Sequence, residues 1–287
     1  MSKAYRYLSI AAIGLSFLWA DVARAATIYV NNITGNDHAT GMSAEPGTPG
    51  DGPVATIRRA LEIARGTDSI VIANTGEPYS ESVTVDRPEL FGSELYPFII
   101  EGNGATMRGV RTLPPDVWTR VGEYTYRYQP YRKGHYQLIV DGAVAREVEW
   151  SGESALPPLR PLEWCSHRGF IYFRVEPQKW LDQYTIEAPL FEGGFGFHNA
   201  RNVVLRNLNV EAYRLDGVAV TGTSQNVRLI NIRSTANGRA GLSVSGTSRV
   251  LVDNLDLAGN REAEQLILLK GHVTDVPHGN VPPKPSL

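Results

Sequence analysis

Apolar and polar residues alternate along three near-copies of one short segment: Asn202 to Val210, Asn226 to Ser234 and Arg249 to Leu257. Val203 and Leu205 fall on one side and Arg206 on the other, the two-residue period of a strand buried on one face. The phase reverses at Asn207, after which Leu208 and Val210 form the apolar set. The asparagine is therefore expected at a corner between two strands, where its amide can bond the backbone or the asparagine of the next copy. Its equivalents Asn231 and Asn254 follow at intervals of 24 and 23 residues, within the roughly 20 to 45 residues of one solenoid unit. Asn207, Asn231 and Asn254 are read as an internal structural ladder. A second strand follows the first two copies, at Gly217 to Gly222 and Gly241 to Gly246, and a third is expected at Leu266 to Gly271 after a two-residue insertion.

Short strands repeated in this way stack into parallel sheets around an apolar axis. A leucine-rich repeat would need a fixed L-x-x-L-x-L frame, which is absent, and sandwich strands show no fixed period. The N-V-x-[LV]-x-N-[LI] run, its asparagines and the following G-[VL]-x-V strand resemble the right-handed parallel β-helix of the pectate-lyase-like superfamily, in its secreted bacterial form. The fold class expected is all-β: a right-handed parallel β-helix solenoid with an N-terminal capping helix and an aromatic-rich insertion.

The remaining chain is organised around that solenoid. Ile28 to Val30, followed by a Gly35-Asn36-Asp37 turn, is similar to the opening of many secreted β-helix proteins. Between Thr56 and Ala64, Ile57, Ala60, Leu61 and Ala64 share one helical face, and this helix is expected to cover strand edges at one end. Strands are expected at Asp68 to Ile72, Ser82 to Val85 and Phe98 to Gly102. Between about 111 and 189 the 24-residue rhythm gives way to aromatics and prolines. This insertion resembles those of bacterial β-helix proteins that act on carbohydrates, and its aromatics are either a small separate core or a wall on which sugars stack.

Residues 1–25 read as a secretory signal: Lys3 and Arg6, the apolar stretch Leu8 to Trp19, then Ala23-Arg24-Ala25. The apolar run is shorter than the roughly 20 residues that span a bilayer, so no membrane span is expected, and the protein is placed in the periplasm or outside the cell. The domain proper is 26–275. Residues 276–287 form a proline-rich tail that is poorly suited to cap a sheet, as in a short or truncated family member. Cys165 is the only cysteine, so export does not imply a disulfide scaffold. Loss of the signal removes three basic residues and one acidic one, taking the formal charge from −2 to −4. Nucleic acid is thereby a poor partner, and a monomer is expected.

No zinc spacing, phosphate loop, nucleotide fingerprint or Ser/His/Asp motif is present. The phase of the second strands instead sends Ala219 and Thr221, Ser243 and Ser245, and Leu268 and Lys270 outward in two columns. Arg214, Asp216, Arg239, Glu262 and Glu264 lie in the turns leading into them. This arrangement is similar to that of β-helix alginate and chondroitin lyases, whose carboxylates hold Ca²⁺ and whose lysine removes the C5 proton. The resemblance implies Lys270 and Arg239 as the catalytic residues, Lys270 as base and Arg239 as a substrate clamp, with Glu262 and Glu264 as ligands for Ca²⁺; Arg214 and Asp216 are read beside them as substrate-binding residues. The acidic-to-lysine spacing is one residue longer than in those lyases, and the coil that should supply an acid arginine is absent. Seven arginines and no lysine between His198 and Arg249 suggest a positive stripe suited to carboxylate or sulfate. The expected partner is therefore a polysaccharide, most simply an acidic one, bound or cleaved by β-elimination. A non-catalytic carbohydrate-binding or cell-surface module stays open, as does a glycoside hydrolase using Asp216 and Glu264.

Overall fold

The computed structural model describes residues 25–48, 50–152 and 158–275. All but the last residue of the expected signal, and the whole proline-rich tail, lie outside them. No helix among the described residues is long and apolar enough to cross a membrane.

Two all-parallel sheets carry the molecule. The long sheet runs in the order Thr27–Val30, Ser69–Ile72, Phe98–Arg108, Arg201–Glu211, Gln225–Thr235, Arg249–Asp256 and His272–Asp275. The short sheet is Val83–Val85, Phe195–His198, Val218–Thr221, Ala240–Val244 and Ala263–Ile267. From Ser69–Ile72 onward the chain visits them alternately, and each strand pairs with its counterpart one coil on, as in Val203↔Val227 and Val227↔Val250. That is a parallel β-helix. Phe98, Ile100, Val203, Leu205, Leu208, Val210, Val227 and Leu229 from the long sheet share one core with Phe195, Phe197, Val218, Val220, Leu242 and Val244 from the short one.

The phase reversal has a backbone cause. Asn207, Asn231 and Asn254 have φ of 54°, 52° and 53°, and a single left-handed residue, which asparagine tolerates, turns the alternation over. Asn231 Nδ2 donates to Asn207 Oδ1 at 2.9 Å and Asn254 Nδ2 to Asn231 Oδ1 at 2.8 Å. Asn207 Nδ2 donates to Glu101 Oε1 at 2.8 Å, and Glu101 itself is buried beside Arg206. The expectation of an internal ladder is corrected here: the rungs stand at an outer corner, with Asn231 and Asn254 exposed. Asn231→Ala is accordingly expected to cost only about 1 kcal/mol, through the left-handed backbone, and Asn231→Gly less than that. Urea midpoints measure both, and equal losses for glycine and alanine would mean that the amide bonds dominate.

An asparagine pair with one buried member lies elsewhere. Asn237, fully buried, accepts from Tyr213 N at 3.0 Å and donates to Asn260 Oδ1 at 2.9 Å, one coil on. The last short-sheet strand also differs from expectation. It is Ala263–Ile267, with Ala240↔Ala263 and Ser243↔Leu266 in register, so no two-residue insertion precedes it. Lys270 thus leaves the strand for the following turn, where its N–H donates to Gly246 O at 3.0 Å.

The capping helix is Ile57–Ile63. Thr56 Oγ1 accepts from Arg59 N, and the Glu81 carboxylate takes Ile57 N at 2.9 Å and Arg58 N at 3.0 Å, satisfying the first free donors of the helix. Ile57, Ala60 and Leu61 face the core.

The insertion leaves and re-enters the solenoid at one place, because Val110–Thr112 pairs antiparallel with Ile186–Pro189. Between them two mainly antiparallel sheets enclose a second core of Leu113, Trp118, Tyr126, Leu138, Trp164 and Phe173. Most of its aromatics are therefore core residues, not a sugar-stacking wall. Trp164 is 1% exposed, with its Nε1 on Ala145 O at 3.1 Å, whereas Tyr131 is 91% exposed. Cys165 is buried, and burial pushes its thiol up to about 12, which makes it inert at neutral pH.

Candidate functional site

The insertion reaches back over the solenoid along the turns that feed the short sheet. Its loop 130–136 crosses these turns so closely that a Cβ on Gly238 would stand 2.1 Å from His135 O and 2.3 Å from Arg214 O. Ionic contacts hold the junction. His135 Nδ1 lies 2.6 Å from Glu262 Oε1, and Arg261 places Nε and Nη2 on the Glu147 carboxylate at 2.5 and 3.1 Å and Nη1 on Glu262 at 3.1 Å.

Two recesses flank this loop. One, of about 190 Å³, is lined by Lys133, His135, Glu147, Ser166 and Arg261. The other, of about 140 Å³, is lined by Arg111, Tyr131, Arg132, Tyr136, Leu190 and Arg214. In the second, the cations dominate. Arg214 is mostly buried, donating to Glu192 and, at 3.4 and 3.5 Å, to Lys133 O and Gly134 O. Arg132, more than half exposed, also donates to Glu192. Arg111 reaches the Tyr128 hydroxyl at 3.3 Å and forms no ion pair among the described residues. Burial, with a hydrogen bond to Tyr128, pushes the Tyr136 phenol far above its ordinary value, so it stays neutral beside Arg111 and Arg214. Such a surface, with guanidiniums around an exposed aromatic ring, is suited to hydrogen-bond an anion and to take a ring against it.

The residues singled out from the sequence are dispersed. Arg214 belongs to this recess. Asp216, two residues on, is 3% exposed, gripped by Arg239 Nε at 2.8 Å, by Arg239 Nη2 and by Ser243 Oγ at 2.7 Å; that arrangement fixes a turn and leaves neither side chain without a partner. Glu262 is engaged by His135 and Arg261, Glu264 is exposed, and Lys270 is in its turn. No hydrogen bond or ion pair joins Lys270 to either glutamate among the described residues, nor do these hold a group of three or more acidic, histidine or cysteine side chains placed for a metal ion. The arginine stripe also divides: Arg206 is buried beside Glu101, Arg233 pairs with Asp256 at 3.4 Å, and Arg239 pairs with Asp216. Arg111, Tyr131, Arg132 and Glu192 carried no periodic signal; the run Tyr131-Arg132-Lys133 is the one local hint.

No family model matches this chain, and no curated protein matches it. Among solved structures it is similar to the complex structure of XylC with xylose, at 12% identity and a TM-score of 0.46, over 79% of this chain and 58% of that one. The chain thus corresponds to less than two thirds of the length of that structure.

Proposed function

We propose that the protein is an exported β-helix protein that binds an acidic polysaccharide in the arginine-lined recess between solenoid and insertion. The observation that carries this reading is the convergence of Arg111, Arg132 and Arg214 beside the exposed Tyr131, in a chain whose formal charge is otherwise negative. Anion recognition by guanidinium is directional, and a sugar ring presents C–H faces to an aromatic. Export rests on the basic, apolar and small-residue order of residues 1–25.

Calorimetric titration with a galacturonate oligosaccharide and a neutral xylo-oligosaccharide of equal length tests the reading. The acidic ligand should bind more tightly, and its affinity should fall as salt approaches physiological strength, where the screening length is about 8 Å. Arg214→Ala should weaken it by roughly tenfold or more, since a hydrogen bond to a charged group contributes about 1.5–3 kcal/mol. Equal affinity for the two ligands, or an unaltered Arg214→Ala variant, would defeat the proposal. Growth of the unsaturated-uronate absorbance on incubation, with or without Ca²⁺, would add β-elimination to binding.

A further inference from the structure

Two of the arginines that line the recess already hold a carboxylate. Glu192, in the turn just after the insertion, accepts from both Arg132 and Arg214 through the same oxygen, Oε1. The two sides of this contact are held very differently. The Arg214 side chain is 12% exposed and anchored on Lys133 O and Gly134 O, whereas the Glu192 side chain is 50% exposed. Arg214 Nε is buried without an acceptor among the described residues, so the guanidinium fork is only partly used. Although desolvation pushes the Glu192 carboxyl upward, Arg214 and Arg132 together hold it below its ordinary range.

Building on the acidic-glycan reading, we infer that Glu192 is a displaceable internal surrogate for the ligand's carboxylate, and that the anion recognised is the carboxylate of a uronate residue. Glu192 presents to Arg132 and Arg214 the same planar group that a uronate carries on its ring, and Tyr131 stands in the same recess for that ring. Binding then exchanges one carboxylate for another on cations that stay where they are. The free site is thereby partly neutralised, which keeps Arg132 and Arg214 from capturing any passing anion, and only a ligand that also occupies the Tyr131 side competes successfully. The cost is affinity, since the intramolecular carboxylate must leave first.

The test titrates the wild type, Glu192→Gln and Glu192→Ala with tetragalacturonate and with a sulfated, uronate-free glucan of equal length. Both variants should bind tetragalacturonate about tenfold more tightly than the wild type. Removing one negative charge raises affinity for any anion through the field alone, so the titrations are repeated at roughly 1 M salt, where screening falls to about 3 Å. A direct competitor acts by contact, and the gain should persist there. A gain that vanishes at high salt, or variants that bind no better than a wild type that does bind, overturns the surrogate role while leaving the acidic-glycan reading intact. Tighter binding of the sulfated glucan than of tetragalacturonate overturns the uronate assignment. Absence of binding by all three proteins removes both readings together. Glu192 is half exposed, so thermal melts of the variants should coincide with the wild type, and Glu192→Gln preserves shape if Glu192→Ala does not fold.

Discussion

Arg239→Ala is expected to lower stability by about 3 kcal/mol. Asp216 is 3% exposed, and its carboxylate accepts two bonds from Arg239 and one from Ser243. Taking away the guanidinium leaves an ionised group in the protein with one hydroxyl for company, and breaking a buried pair in this way costs about 3–5 kcal/mol. The lower end applies because Arg239 is 28% exposed, so water can reach the space it vacates. Arg239→Ala combined with Asp216→Asn should recover part of the loss, since the amide carries no charge to strand. Urea unfolding of the two single variants and the double variant gives the coupling. A change below about 1 kcal/mol in Arg239→Ala, coupled with weaker glycan binding, would return this arginine to the ligand-binding role its position in the sequence suggested.

Gly238→Ala should cost about 2–3 kcal/mol and uncouple the insertion from the solenoid. The new methyl would meet two backbone carbonyls, His135 O at 2.1 Å and Arg214 O at 2.3 Å, and neither can swing aside as a side chain could. Overpacking of this kind typically costs about 1–3 kcal/mol. The displaced segment is the loop bearing Tyr131 and Arg132, so acidic-glycan affinity should fall along with stability. Gly193→Ala, whose methyl would find only Asp216 O at 3.6 Å, serves as the tolerated neighbour. Calorimetric melts and titrations of both variants decide the matter: a Gly238→Ala protein with unaltered melting and affinity would show that the junction yields freely.

The solenoid was legible because Val203, Leu205, Leu208 and Val210 meet the same kind of neighbours in every coil, and identical surroundings select a repeating pattern. The last short-sheet strand was misplaced for the converse reason. The apolar run from Leu266 to Leu269 imitates the preceding strands, but register follows the backbone pairing Ala240↔Ala263, which sets Gln265 opposite Leu242. Asn237 and Asn260 escaped notice because they lie in turns between strands, where alternation carries no information. Their role shows only when one coil is laid on the next. The recess was beyond reach of pattern altogether: Arg132 and Arg214 meet at Glu192 by way of an insertion that has no period, and what joins them is the packing of two separately folded cores. Charge counting failed similarly, because the arginines between 201 and 249 are distributed over different faces and most of those placed have partners.

The strand pair at the base of the insertion changes what the solenoid must achieve to close its circuit. In an ordinary coil the chain returns to itself after 24 or 23 residues, as from Val203 to Val227 and on to Val250. Through the insertion, Val110 meets Pro189 only after roughly 80 residues, yet closure entropy grows as the logarithm of length, so the longer excursion costs only about 1 kcal/mol more. That sum is small beside the burial supplied by an independent aromatic core. The seam between Val110–Thr112 and Ile186–Pro189 thus works as a splice point: from the side of the solenoid, what lies beyond it can be long, short or differently folded with little thermodynamic consequence, provided its two ends emerge side by side.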